Sequence, residues 1–243
     1  MLVRERCRFL ARELVGGRRL GRYTLRDSGV VVHLRHGTPD IHTFDEIFYR
    51  RLYDPPAAVD RKLKAPVPLA VLDLGANIGL AGAYFLARYP SACVVAVEPE
   101  PANAAVHRLT IAANDFGKRW RLVEAAAGRA RGKVSLLGAF VDSRVQAQDG
   151  GAGDSVVDAI DVLDDYAGAD LAKIDIEGSE WDLLGDDRFP ALATAIVLEY
   201  HPEGCSGGRA SEAARDALEG HGFVVTPLFE DPRGHGMLWG VRD

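Results

Sequence analysis

From Pro66 onward the chain alternates short apolar runs with segments of helix length: VPLAVLDLG, ACVVAVEPE, WRLVEAA, DLAKIDIEG, TAIVLEYHP and GFVVTPLFE, closing on GMLWGVRD. Runs that are apolar on both faces and separated by helices are strands of a largely parallel sheet covered on either side. The fold class that follows is α/β. Residues 67–243 form the principal domain.

Residues 1–66 read differently, as an N-terminal appendage. Leu2, Val3, Cys7, Leu10, Ala11, Leu14 and Val15 recur at helical spacing until Gly16-Gly17, which predicts an amphipathic helix over 2–15. RYTLRD and VVVHLRH flank Ser28-Gly29 and predict a β-hairpin. A second helix is expected from Asp40 to Tyr53, stopped by Asp54-Pro55-Pro56, and it is placed to lid an acceptor pocket. Further on, the glycine-rich stretch 150–155 reads as a mobile surface loop.

Composition narrows the function classes. The 243 residues carry 29 Lys+Arg against 35 Asp+Glu, a net charge of −6, with 47% hydrophobic residues, which excludes disorder as the main state. Bulk charge gives no reason to bind nucleic acid or anionic membrane, so small-molecule partners are favoured. Cys7, Cys93 and Cys205 are odd in number and show no CxxC spacing, which suits a reducing, cytoplasmic setting rather than a disulfide framework or zinc site. No apolar run reaches the roughly 18–20 residues of a membrane span. The N-terminal stretch lacks the continuous apolar core of a signal peptide. Oligomeric state is not legible.

The chemistry concentrates in VLDLGANIGLAGAYFLARY, where a buried strand runs through Gly75 to Gly79 into a helix. Glycines there let backbone approach a ligand closely while the helix offers free N–H groups. The spacing departs from the GxGxxG of dinucleotide binders, so a nicotinamide-dependent oxidoreductase is the weaker reading. A glycine turn without a ligand is the alternative for the loop alone. Glu98, at the end of the next strand and 23 residues past Gly75, sits where a carboxylate accepts from both hydroxyls of a ribose.

These segments resemble the S-adenosylmethionine-dependent methyltransferases of the seven-stranded Rossmann-like class, and within them the FkbM type. The resemblance covers roughly residues 66–241 and rests on DLGANIGL (73–80), VEPEPAN (97–103), AAAG (125–128), LAKIDIEGSEWDLL (171–184) and LEYHPEG (198–204), with KIDIEGSE singling out the FkbM type. It implies a mostly parallel seven-stranded sheet with helices on both faces and methylation of hydroxyl oxygens, often in natural products or glycans. It also implies that Asp73, Gly75, Ala76, Asn77 and Gly79 surround the methionine part of the cofactor. Glu98 would hold the ribose, and Pro99 and Ala126 the adenine. Asp142 and Ser143 are weaker candidates for the substrate side.

Asp175 and Glu177 end the fourth strand and Glu199 and His201 the fifth, on the edge where open sheets bind ligands. Two carboxylates beside a methyl donor can orient a hydroxyl, accept its proton or hold a metal. Asp175 is thus assigned to both the cofactor and catalytic sets. If the strand stays extended, Asp175 and Glu177 share a face with Lys173, which can pair with one of them. An alternative for this segment is purely structural: ion pairing and N-capping around Ser179. His201 is the preferred base, with a nearby carboxylate fixing its tautomer and Glu199 on the substrate side, or it merely bonds backbone ahead of Pro202. His33, His36, His42, His107, His221 and His235 show no site spacing. A divalent metal is not favoured, because no complete ligand set can be identified; Asp175, Glu177 and Glu199 would be its oxygen donors. Three readings stand: an S-adenosylmethionine-dependent O-methyltransferase of a small hydroxyl acceptor, a nicotinamide-dependent oxidoreductase, and a non-catalytic cofactor-binding domain.

Overall fold

The structure is a computed structural model that describes residues 2–65, 67–137, 144–147 and 155–242. Val3 makes a bridge to Leu25 rather than joining a helix, so α1 begins later than the spacing predicts, at Arg6–Val15. Its apolar residues are largely uncovered: Leu10, Leu14 and Val15 are exposed, and Phe9 is the one that packs on the core. The hairpin forms as expected, with β1 (Arg19–Thr24) antiparallel to β2 (Val31–His36). The expected long helix is shorter and irregular. α2 (Asp40–Phe44) passes into a π-helical turn at Asp45–Tyr49, and Arg51 at φ +57° ends it, before the prolines are reached. Pro56 then precedes α3 (Ala57–Leu63), so the prolines mark a helix start as much as a stop.

The apolar runs become strands: β3 (Leu69–Leu74), followed by α4 (Leu80–Arg88); β4 (Ala92–Val97), followed by α5 (Pro101–Ala112); and β5 (Trp120–Val123). Seven of the nine residues of α4 are buried, because it lies between the sheet and the N-terminal segment. Pro101 opens α5 at a position where its missing N–H costs nothing, and the Glu100 side chain caps the Ala102 N–H at 3.3 Å. A small second sheet then intervenes: β6 (Ala126–Gly128), β7 (Gly132–Leu137), β8 (Arg144–Ala147) and β9 (Ser155–Asp161), in the order β6-β9-β7-β8. After α6 (Val162–Asp165) the main sheet resumes with β10 (Ala169–Ile174), α7 (Glu180–Leu184), β11 (Ala193–Tyr200), α8 (Ala210–Gly220), β12 (Val224–Glu230) and β13 (Gly236–Val241).

The seven-stranded sheet has the order β12-β13-β11-β10-β3-β4-β5, parallel except for β13, which runs antiparallel to both neighbours. From β3 the chain builds outward through β4 and β5, then returns to place β10 on the other side of β3. The strand order therefore reverses between β3 and β10, and a crevice opens at their carboxyl ends. Leu74 lies opposite Ile174 at that edge, which sets Gly75 beside Asp175.

One apolar cluster joins the hairpin to the sheet: Tyr23, Val32 and Leu34 belong to the same core as Val71, Phe85 and Val94. Side chains of the α5 region also satisfy the free edge of β2. Asn114 accepts from the Val31 N–H and donates to its carbonyl, both at 2.8 Å, and Thr110 accepts from the His33 N–H at 3.1 Å. The opposite face of the sheet packs on a second cluster that includes Leu183, Phe189, Ala214 and Leu218. No helix among the described residues is long and apolar enough to cross a membrane.

Candidate active site

A cavity of about 630 Å³ opens at the crevice between β3 and β10, within the range of small-molecule sites. Its floor is Gly75, Ala76 and Asn77, one wall carries Lys173, Asp175 and Glu177, and another Glu199 and His201. His42, Glu46, Ile47 and Tyr53 of the N-terminal segment close it from above, and Asp231, Arg233 and His235 of the turn after β12 stand at its side.

The glycine loop is shaped by close backbone approach. Gly75 has φ +72°, and a Cβ there would lie 1.7 Å from the Asp175 carbonyl oxygen. Gly79, at φ +88°, would drive a Cβ to 2.4 Å from the His107 ring. Asn77 is itself left-handed at φ +49°. Its N–H donates to Glu98 Oε2 at 2.7 Å, while Glu98 Oε1 accepts from the Glu100 N–H at 2.9 Å and Asn103 Nδ2 at 3.2 Å. Glu98 is 4% exposed. Burial pushes its carboxyl up, and the donors from Glu100, Asn77 and Asn103 pull it back. Its visible bonds hold the loop, a task that its spacing from Gly75 did not reveal.

Asp73, Gly79 and Ala126 are buried, and Pro99 sits just beyond β4. None of these, nor Glu98, is in the wall of this cavity. Asp142 and Ser143 lie outside the described residues.

In that wall, Lys173 is buried between two carboxylates, at 3.4 Å from Asp73 Oδ1 and 3.2 Å from Asp175 Oδ2. Burial alone would favour the neutral amine, but Asp175 and Asp73 reverse this and hold it protonated. The expected pairing of Lys173 is therefore present. The expected extension is not: β10 ends at Ile174 and Glu177 takes φ +54°, so Asp175 and Glu177 converge through a turn rather than strand alternation. Ser179 makes no side-chain cap.

His201 is oriented by a nearby carboxylate, and that carboxylate is Glu180. Glu180, fully buried in the first turn of α7, accepts from the His201 backbone N–H at 2.7 Å and lies 3.1 Å from Nδ1, while its other oxygen takes the Gly178 N–H at 2.7 Å. The Glu199 side chain, two residues back along β11, has no hydrogen bond to the imidazole. Nε2 points into the cavity, 3.4 Å from Glu177 Oε2 and 4.0 Å from Asp175 Oδ1. His235 packs edge-on against the ring, with centroids 5.5 Å apart. Burial lowers the affinity of His201 for a proton, but Glu180, Asp175 and Glu177 outweigh it and raise its pKa to about 9. Burial and the neighbouring Asp175 charge push Glu199 up to about 8.

One signal for Glu180 was in the sequence. A Glu at the start of a helix, just past a Gly exit, is placed to fold back onto free N–H groups. His42 and His235 had no such signal, since they reach the cavity from segments distant in sequence.

Residues 73–225 match the methyltransferase FkbM domain. AMB antimetabolite synthetase AmbE of Pseudomonas aeruginosa is 31% identical, with 76% of this chain covered, and the chain spans 11% of the length of that relative. Among solved structures, precorrin-6y C5,15-methyltransferase from Geobacter metallireducens GS-15 is similar at 17% identity and a TM-score of 0.46, over 77% of this chain and 87% of that one. TYW2 of M. jannaschii in complex with AdoMet is similar at 13% identity and a TM-score of 0.46, over 93% and 86%. The matched span takes in the glycine loop, Glu98 and the Asp175, Glu177 and His201 cluster, and the chain belongs to the FkbM methyltransferase family.

Proposed function

We propose that this methyltransferase uses S-adenosylmethionine to methylate a hydroxyl of a small molecule, such as a natural product or sugar. The observation that carries the reading is a single cavity with the Gly75–Asn77 loop as floor and Asp175, Glu177 and His201 as wall. The residues suit the cofactor. Asn77 Oδ1 is buried at the loop with no hydrogen-bond partner among the described residues, an acceptor awaiting a donor such as an ammonium. The carboxylates beside it favour a cationic ligand.

The cofactor supplies a methyl group already activated by positive charge, so the chain's task is positioning. The acceptor oxygen forms the new O–CH₃ bond as the C–S bond breaks and its electron pair stays on sulfur. The hydroxyl proton leaves to the acidic wall. Because its neighbours keep His201 protonated near neutral pH, Asp175 or Glu177 takes that proton in this reading. The N-terminal segment, through Glu46, Ile47 and Tyr53, excludes water and shapes the acceptor side.

Calorimetric titration with S-adenosylmethionine, S-adenosylhomocysteine and NAD(H), repeated on Glu98→Ala, tests the reading. Selective micromolar binding of the adenosyl compounds, weakened at least tenfold in the variant, is expected. Folded protein that binds none of them would overturn it. An acceptor screen for methylated product then separates oxygen from other acceptors.

A further inference from the structure

We propose that Asp175, Glu177 and His201 form a site for one divalent cation, of the kind that accepts mixed nitrogen and oxygen donors, as Mn²⁺ does. The inference rests on the methyltransferase reading for its purpose, not for its geometry. One donor atom from each residue lies within 4.8 Å of the others. That separation lets a single ion sit about 2.0–2.6 Å from all three, the range of metal–oxygen and metal–nitrogen bonds.

The imidazole is built as a ligand would be. His201 is 6% exposed, yet Nε2 points out of the wall into the gap between the carboxylates, with Glu177 and Asp175 at 3.4 and 4.0 Å. Both separations exceed an ordinary hydrogen bond. Behind the ring, the Glu180 carboxylate engages Nδ1 at 3.1 Å and also takes the His201 backbone N–H. A carboxylate on the far nitrogen is the arrangement that fixes the tautomer and direction of metal-bound histidines. Glu180 is itself 0% exposed and is fixed by the His201 and Gly178 N–H groups, so it holds the ring from a rigid position.

The nearest fixed cation compensates this group only in part: Lys173 Nζ lies 3.2 Å from Asp175 Oδ2. Lys173 Nζ also donates to the Gly75 and Leu74 carbonyls, at 2.6 and 3.2 Å, and is shared with Asp73. Three protein donors leave coordination positions facing the cavity. Two oxygens of the acceptor can fill them together, so the site favours a hydroxyl with a second oxygen on the neighbouring carbon, such as a vicinal diol or an α-hydroxy acid. The cation would polarise the reacting hydroxyl; with it bound, His201 would give up its Nε2 proton, Asp175 and Glu177 would serve as ligands rather than proton acceptors, and the hydroxyl proton would pass to water at the cavity mouth.

The test is Mn²⁺ binding to the EDTA-treated full chain, followed by electron paramagnetic resonance with and without S-adenosylhomocysteine. One ion per chain is expected, with a nitrogen coupling from the imidazole that vanishes in His201→Ala. Affinity should fall at least tenfold in Asp175→Asn and 10–100-fold in Glu180→Gln, with Asp216→Asn on the exposed side of α8 as a control that keeps it. Circular dichroism confirms that each variant is folded, and Glu177→Gln serves as a second ligand variant should His201→Ala unfold. Absence of Mn²⁺ binding at millimolar concentration, or binding without the nitrogen coupling and indifferent to these variants, would overturn the site. Loss of S-adenosylhomocysteine binding in the unaltered chain counts instead against the methyltransferase reading, so the two failures are distinguishable.

Discussion

The ammonium of Lys173 donates a 2.6 Å hydrogen bond to the carbonyl of Gly75, tying β10 to the loop that leaves β3. The same ammonium is the cation that compensates Asp73, which is 0% exposed and 3.4 Å away. Lys173→Met should therefore destabilise the protein by about 3–5 kcal/mol, the cost of leaving a buried charge uncompensated. Urea denaturation would measure it, and an unchanged midpoint would show that the pair contributes nothing.

Gly75→Ala should be far more damaging than an ordinary glycine replacement. The new methyl group meets the Asp175 carbonyl at 1.7 Å with φ at +72°, so β3 and β10 must separate. We expect a loss of about 3 kcal/mol or more, combining overpacking with left-handed strain, and weakened adenosyl binding. Gly132, whose Cβ would meet nothing within 4 Å, is the control, with Gly132→Ala expected within about 0.5 kcal/mol of the parent.

His107 makes stability depend on acid. It is fully buried, and burial, opposed only by the Asn77 backbone, pushes its pKa down to about 3 from 6.5. Below pH 6.5 the unfolded chain takes up a proton that the native state refuses. Stability from this group is thus complete above pH 6.5 and falls as pH drops toward 3, by up to about 5 kcal/mol at 1.36 kcal/mol per unit. In His107→Leu the slope of unfolding free energy against pH over that window should flatten; an identical slope would place the acid sensitivity elsewhere.

Asn114 ties the N-terminal hairpin to the sheet domain. Asn114→Ala would leave the Val31 N–H and carbonyl without their 2.8 Å partners, at a cost of about 1–3 kcal/mol. Hydrogen exchange over 31–36 should accelerate more than exchange over 69–74. Uniform acceleration would mean that the hairpin and sheet open together, and would argue against treating 1–66 as a separable appendage.

All seven strands of the main sheet were legible because each is a short run rich in apolar residues, as in LAVLDL and AIVLEY. The second sheet was not, since β6 has three residues and β9 buries little beyond Ala159 and Asp161, too little to mark strands. The π-helical turn at 45–49 also escaped, because Phe44, Ile47 and Phe48 keep a helical period while the backbone widens. At the site, Asp175, Glu177 and His201 were readable as strand-end residues, but the partner of His201 was not. Which carboxylate meets an imidazole depends on how α7 turns back across β11, and Glu180 lies 21 positions from His201 in sequence.

β13 lies between β11 and β12 in the sheet, although it follows both in the chain. Order of synthesis and order of assembly therefore disagree. Until residues 236–241 leave the ribosome, β11 keeps an unpaired edge with Ile196, Val197 and Leu198 along it, and β12 has no neighbour at all. A chain halted before Gly236 would carry a finished Gly75–Asn77 loop on a sheet with an open, sticky border, so closure of this sheet waits on β13.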